Sequence, residues 1–198
     1  TRTDRFFTRQ MFYAIRPKVK HIYVVNCEFS HPLITHIPHG LMNDDMPVVQ
    51  LKVRREILCY LNLGTYLNGY LVHKNAGWVR EHCKEYFKNK DWVKKESKVP
   101  KNTFCDRLAN SKFVLCPYGV GLDTWRFYES VYYGAIPIVL SSGLDDVHEK
   151  FGALIIDDWS DLTEDLLRNW TKPVNRDVLE LEYWFNFQSS QNHPHHAQ

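Results

Sequence analysis

The residues best suited to chemistry lie between Ser111 and Leu140, in the run SKFVLCPYGVGLDTWRFYESVYYGAIPIVL. An apolar segment, Phe113 to Cys116, meets a glycine-rich turn, Tyr118-Gly119-Val120-Gly121. Asp123 follows as a good helix N-cap, which puts Arg126 near the third helical position and Glu129 one turn further on. An arginine in the first turn opposes the helix dipole and costs roughly 0.3–1 kcal/mol unless an anion sits beside it. Unpaired backbone N–H groups at the same place invite a phosphate. The other reading is an i,i+3 Arg–Glu surface pair worth about a few tenths of a kcal/mol. Arginine before glutamate is the unfavourable order for the dipole, so the anion is the favoured reading.

These residues need a frame to hold them. Gly134 closes the helix and a second apolar run, Ile136 to Leu140, completes a strand–loop–helix–strand unit. Upstream, residues 4–14 read as helix and His21 to Cys27 as a buried strand. SHPLITHIPHGL, on through Asn43 to Pro47, reads as a linker or crossover. Glu56 to Leu63 is a strand, and Gly64 to Asn68 the loop after it. Gly69 to Lys90 is a helix with Val72, Ala76, Val79, Cys83 and Phe87 on one side. The charged run CKEYFKNKDWVKKESKVPK reads as a solvated helix face and loop, and Thr103 to Asn110 as a short helix. Leu144 to Phe151 (helix), Ala153 to Ile156 (strand) and Leu162 to Trp170 (helix, with a capping signal at Ser160, Asp161 and Glu164) follow. Asn175 to Phe187 is the last helix. The alternation predicts an α/β fold: one Rossmann-like parallel sheet of roughly five strands with helices on both faces. Ligands of such sheets bind at the carboxyl ends of the strands, where the glycine turn lies. Residues 1–45 form an N-terminal segment and linker, 46–188 the Rossmann-like domain and 189–198 a polar tail.

Composition narrows the partners. A net charge of +2 over 198 residues argues against a nucleic-acid module. The turn lacks the third glycine of a dinucleotide fingerprint. No apolar stretch is long enough to span a bilayer, and no signal peptide is visible. The five cysteines include no CxxC pair and read as reduced, buried thiols, which favours the cytoplasm; the sequon at Asn169-Trp170-Thr171 points weakly the other way.

S-K-F-x-L-x-P-x-G, then W-R-F-Y-E, then Y-G-A-I-P-I-V-L, resembles the exostosin-like (family 47) glycosyltransferases. The likeness extends more loosely over residues 34 to 170, through His36-Ile37-Pro38-His39-Gly40, Leu58-Cys59-Tyr60-Leu61-Asn62, the SSGL loop and Asp157-Asp158-Trp159. It implies a GT-B architecture in which this is the C-terminal, donor-gripping domain, while the N-terminal domain is abbreviated here or lies outside this sequence. It also implies a nucleotide-sugar donor as substrate rather than a resident cofactor. The donor would be UDP-linked, with UDP-xylose favoured, and the acceptor a glycan hydroxyl. Carried over to this sequence, Glu129 would bond the ribose hydroxyls and Arg126 would face the diphosphate. Backbone groups of Gly119, Val120 and Gly121 and the helix start at Thr124 would complete an anion nest. Asn62 and Ser141, at neighbouring strand ends, are further donor-site candidates. The family's usual Golgi lumen is the alternative to the cytoplasm.

Glycosyl transfer needs a stabilised leaving diphosphate, a placed acceptor hydroxyl and a group to take its proton. Arg126 and the helix start supply the first. Inversion, which the resemblance implies, needs a base opposite the leaving group; His39 and Asp44 are the candidates, with Asp45 and Glu28 behind them. No Asp-x-Asp is framed by strand and turn, and Asp145-Asp146 and Asp157-Asp158 read as caps or solvated pairs. His31, His36 and His39 have no ligand-spaced partners, so a metal-independent reaction is expected. The competing expectation is a nucleotide-sugar-binding module without transferase activity.

Overall fold

The computed structural model describes residues 6–41, 46–47, 50–51, 54–64 and 76–184. Helix α1 (Arg9–Ile15) starts on Thr8, whose hydroxyl accepts the Met11 N–H at 3.3 Å. Strands β1 (Ile22–Val24) and β2 (Ile34–His36) pair in parallel as a separate two-stranded sheet. Then come β3 (Ile57–Asn62), α2 (Ala76–Phe87), β4 (Val93–Glu96), α3 (Lys101–Ala109), β5 (Ser111–Leu115), α4 (Trp125–Tyr132), β6 (Ile136–Leu140), α5 (Asp145–His148), β7 (Leu154–Ile156) and α6 (Glu164–Asn169).

The five-stranded sheet has the order β4-β3-β5-β6-β7, and every pairing is parallel. Strands β3, β5, β6 and β7 are largely buried on both faces, as parallel strands are when helices cover both sides. Alternate side chains divide between two cores. Phe113, Leu115, Ile138, Leu154 and Ile156 face α2 and α6, packing with Val79, Cys83, Phe87, Trp159 and Leu167. Tyr60, Val114, Cys116 and Val139 face the other way, onto Phe104 and Leu108 of α3, Phe127 and Val131 of α4 and Val147 of α5. This is the expected Rossmann-like α/β sheet of GT-B type.

One strand differs from the sequence reading. The fifth member of the sheet is β4, inside the charged run, and not the strand at His21 to Cys27, which contributes only β1 to the small sheet. β4 is an edge strand with a single deeply buried residue, Val93. Its Lys95 ammonium reaches the carbonyls of Phe87 (3.3 Å), Lys88 (3.0 Å) and Lys90 (2.8 Å), closing the end of α2. β2 lies within the stretch expected to be a linker. The expected last helix is a 3-10 turn at Asp177–Leu179 and one helical turn at 181–184, with the remainder outside the described residues.

A two-stranded sheet is marginal alone, and this one is anchored. Phe12, Ile22, Cys27 and Phe29 form a small core of their own. The His36 imidazole reaches the Asp146 carboxylate of α5 at 3.0 Å. A Cβ at Gly143 would lie 2.6 Å from the Glu28 carbonyl carbon, so the loop after β6 fits against the N-terminal segment only as glycine. All five cysteines are buried thiols. No described helix is long and apolar enough to cross a membrane.

Candidate ligand site at the strand-order reversal

The chain moves from β3 outward to β4, then returns to the other side of β3 to place β5. Strand order therefore reverses between β3 and β5. A crevice opens at the carboxyl ends of two such strands, because their following helices lie on opposite faces. Here those helices are α2 and α4. The glycine turn after β5 enters this crevice, and a cavity of about 250 Å³ opens beside it. Its lining includes Arg80, Gly119, Asp123, Trp125, Arg126 and Glu129. His39, Val120, Gly121 and Thr124 complete the wall.

Arg126 is held from several sides. Its guanidinium carbon sits 4.3 Å over the Phe104 ring of α3. Its Nη1 donates to the Asn62 carbonyl at the end of β3. Its Nε lies 3.5 Å from Glu129 Oε2, close enough for an ion pair but without hydrogen-bond geometry. The i,i+3 pair is therefore real, yet both partners also line the cavity.

The structure corrects the helix start. Thr124, not Asp123, is the N-cap residue, and its side chain makes no capping bond. Arg126 thus stands at the second helical position; the Phe127 N–H folds back to the Thr124 carbonyl at 3.0 Å, which leaves the N–H groups of Trp125 and Arg126 without an intrahelical carbonyl. The anion nest is also smaller than expected. The Gly119 N–H donates to the Gly121 carbonyl at 3.1 Å, and the Asp123 N–H donates to Asn26 Oδ1 at 2.8 Å.

Arg80 is the residue that motif reading missed. It comes from α2 and donates its Nε hydrogen to the Tyr118 carbonyl at 3.2 Å. A Cβ on Gly119 would fall 2.4 Å from Arg80 Nη2, so glycine is what lets the guanidinium lie against the turn. Burial lowers the Arg80 pKa, and the positive charge of Arg126 lowers it further. Two guanidinium groups that repel each other across a glycine turn, next to an uncapped helix start, form a field suited to a multiply charged anion.

The other sequence candidates divide. His39 borders the cavity, with its ring 5.5 Å from that of Trp125. Its backbone N–H donates to Asp123 Oδ2 at 2.7 Å. Asn62 contributes its carbonyl to Arg126, but its buried amide is turned to the Tyr60 hydroxyl at 3.0 Å and does not line the cavity. Ser141 is exposed and donates its hydroxyl to Asp145 Oδ2 at 2.7 Å, away from the cavity lining. Asp44 lies outside the described residues, as do Asp45 and residues 65–68. The acidic pairs serve structure: Asp145 accepts the Ser142 N–H, Asp146 meets His36, and Asp158 caps the 3-10 turn at Trp159–Asp161. The three histidines diverge. His31 accepts the Leu33 N–H, His36 pairs with Asp146 and His39 borders the cavity. Among the described residues, no group of three or more His, Cys, Asp or Glu is placed to hold a metal ion.

Comparison with known proteins points the same way. Residues 48–177 match the model of the RXYLT1 C-terminal domain. A probable glycosyltransferase of Arabidopsis thaliana is 33% identical over 69 residues, which take in 34% of this chain and 13% of that protein. Human ribitol-5-phosphate xylosyltransferase 1 is 38% identical over 64 residues, 31% of this chain and 12% of that protein. The matched stretch is thus a small part of each relative's length. The family match embraces the whole five-stranded sheet and every residue of the cavity lining except His39, and the chain belongs to the RXYLT1 C-terminal domain family, an exostosin-like glycosyltransferase domain.

Proposed function

We propose that this chain binds the donor of a glycosyltransferase and takes part in moving a sugar from a nucleotide sugar to a glycan hydroxyl. The observation that carries the reading is the convergence of Arg80, Arg126 and Glu129 on the glycine turn at the reversal between β3 and β5. Arg80, Arg126 and the start of α4 would hold the diphosphate, and Glu129 would accept hydrogen bonds from the ribose hydroxyls. The donor is a UDP-sugar. The name of the human relative, a xylosyltransferase, supports xylose as the sugar.

In this mechanism the anomeric carbon is attacked from the face opposite the diphosphate, with inversion. Negative charge grows on the leaving oxygen as its bond to carbon stretches. Two guanidinium groups already oriented by Phe104, Asn62 and Tyr118 meet that charge without reorganising, which is where such a field contributes most. The reaction on this reading is metal-independent, because the arginines and the helix start carry the role a divalent cation would otherwise fill.

A thermal-shift screen of UDP-, GDP- and other nucleotide sugars tests the donor. A ligand at a hundred times its dissociation constant adds roughly 2.7 kcal/mol of stability. Stabilisation by UDP-sugars in wild type and its loss in Glu129→Ala is the expected result. No response to any nucleotide sugar would overturn the reading. Sugar transfer that persists in EDTA is expected; activity lost in EDTA and restored by manganese would overturn metal independence.

A further inference from the structure

Trp125 stands at the first position of α4 and lines the cavity with Arg80, Arg126 and Glu129. Its side chain is 39% exposed, and it is the only exposed residue in that lining. It belongs to neither core of the main sheet. The indole is nonetheless backed by protein. The His39 ring lies 5.5 Å from it between centroids, with 48° between the planes. His39 is itself pinned: its backbone N–H donates to Asp123 Oδ2 at 2.7 Å and reaches the Tyr128 hydroxyl at 3.2 Å. Asp123 is tied in turn to Asn26, whose Oδ1 accepts its N–H at 2.8 Å. A Cβ on Gly121 would fall 2.5 Å from the same Oδ1, so glycine lets the turn close on that amide.

A single exposed apolar side chain is ordinary on a protein surface. This one is set in a wall that is otherwise the glycine turn and polar or charged side chains. Side chains of a helix lean toward its N-terminus, so the indole covers the start of α4. Glu129 lies four residues on, on the same face and about 6 Å further along the axis. Arg126 stands between them. Along the cavity the groups therefore run from an apolar face, through a cation beside a helix start, to a carboxylate. A nucleotide sugar carries the matching groups in the same order: a sugar ring, a diphosphate and a ribose. Resting on the donor-site reading above, we propose that Trp125 is the platform on which the transferred sugar of the donor stacks.

The chemistry of both partners suits the contact. A pyranose carries its hydroxyls round the rim and presents C–H bonds on its faces, so face-on it is apolar. An indole face is apolar too, and the negative lobe of its quadrupole attracts those C–H bonds. The sugar is joined to the second phosphate through one oxygen, so it cannot lie far from the helix start that would hold that phosphate. The indole covers that helix start and is within its reach. Contact sheds water from both faces and leaves the rim hydroxyls free for polar partners. A ring held flat against the indole also has a fixed direction in which its anomeric carbon faces the acceptor. Trp125 takes no proton and forms no bond; its part is to bind and orient the sugar.

The test titrates the full chain, as wild type, Trp125→Ala and Trp125→Phe, with UDP, UDP-xylose and UDP-glucose by calorimetry. Trp125 lies outside the cores of the main sheet, so both variants should melt close to wild type. Trp125→Ala is expected to keep its UDP affinity within about twofold. It should bind whichever of the two sugar nucleotides wild type holds about threefold to tenfold more weakly. Trp125→Phe keeps an aromatic face and should recover most of that loss. Sugar-nucleotide affinities unchanged in Trp125→Ala overturn the platform, as does an equal loss for UDP, which would put the indole against the nucleotide. A phenylalanine variant as weak as the alanine one overturns stacking, and so does a wild type that binds UDP but neither sugar nucleotide. A wild-type chain that binds no UDP overturns the donor site itself.

Discussion

Arg80 and Arg126 line one cavity beside the glycine turn from helices on opposite faces of the sheet: Arg80 bonded to the Tyr118 carbonyl at 3.2 Å, Arg126 from the first turn of the helix that follows. Hydrogen bonds to charged groups contribute about 1.5–3 kcal/mol each. Arg80→Ala and Arg126→Ala should therefore each weaken UDP binding by roughly tenfold to a hundredfold. Arg80→Ala is the cleaner variant, because Arg126 also ties α4 to the end of β3 through the Asn62 carbonyl. Calorimetric titration with UDP measures both. Affinity unchanged in both variants would remove the arginines from the anion site.

Gly119→Ala should act through Arg80. The new methyl would fall 2.4 Å from Nη2, the mobile end of a long side chain, so the backbone can stay while the guanidinium moves away. Thermal stability should change by no more than about 0.5 kcal/mol, the usual scale away from the core. UDP affinity should drop towards that of Arg80→Ala. Placed on an Arg80→Ala background, the same glycine substitution should bring no further loss, because the group it displaces is already gone.

The contrast between Arg126 and Arg80 shows what sequence could and could not reveal. Arg126, Glu129 and the glycine turn lie within twelve consecutive positions, and their spacing alone places them on one loop and one helix. Arg80 lies on a helix beyond β3, and only the strand-order reversal brings it to the same turn. The central strands announced themselves as apolar runs because both faces are buried. β4 did not, because an edge strand with one buried residue and two lysines has no such run. Asp123 was misread as a cap for a related reason. Its carboxylate is spent on His39 and Tyr128, a long-range pairing that local helix signals do not encode.

The contact between His36 and Asp146 should make the seating of the N-terminal segment depend on pH. His36 Nδ1 is 3.0 Å from Asp146 and Nε2 is 3.2 Å from the Phe29 carbonyl, so both ring nitrogens face acceptors. Burial works against the charged ring, but the Asp146 hydrogen bond and charge and the Phe29 carbonyl together raise the His36 pKa above its ordinary 6.5. A raised pKa contributes stability that is full below the unfolded value and is lost as pH rises through the folded one. Burial would raise the Asp146 pKa, yet His36 outweighs it and lowers the value, so that contribution is lost only as pH falls through the lowered value. Asp146→Asn should therefore destabilise most in mildly acidic solution and least above the raised His36 pKa. Asp146 is 58% exposed, so solvent screening keeps the effect to about 1 kcal/mol or less. Melting temperatures of wild type and variant, compared from about pH 5 to pH 8, should converge at the alkaline end.

His148 should set part of the acid sensitivity of the main domain. It ends α5, stacks on Phe127 at 4.4 Å between ring centroids, and its Nδ1 has no hydrogen-bond partner among the described residues. Burial lowers its pKa to about 4, while the Asp145 and Asp146 carboxylates pull weakly the other way. The folded chain holds this imidazole neutral, whereas the unfolded chain protonates it near 6.5. Between those values the unfolded state binds more protons, so stability falls as pH falls, at up to about 1.4 kcal/mol per pH unit. Asp123 works in the opposite sense over part of that range, because its folded pKa of about 6 lies above the unfolded 3.8. The prediction therefore concerns the difference between wild type and a variant rather than either curve alone. His148→Leu keeps an apolar side chain against Phe127 and removes the titration. Urea midpoints measured from about pH 6.5 down to pH 4 should fall more steeply for wild type than for His148→Leu. Parallel curves would mean that His148 carries its proton in the folded protein and that its burial does not set the acid limb.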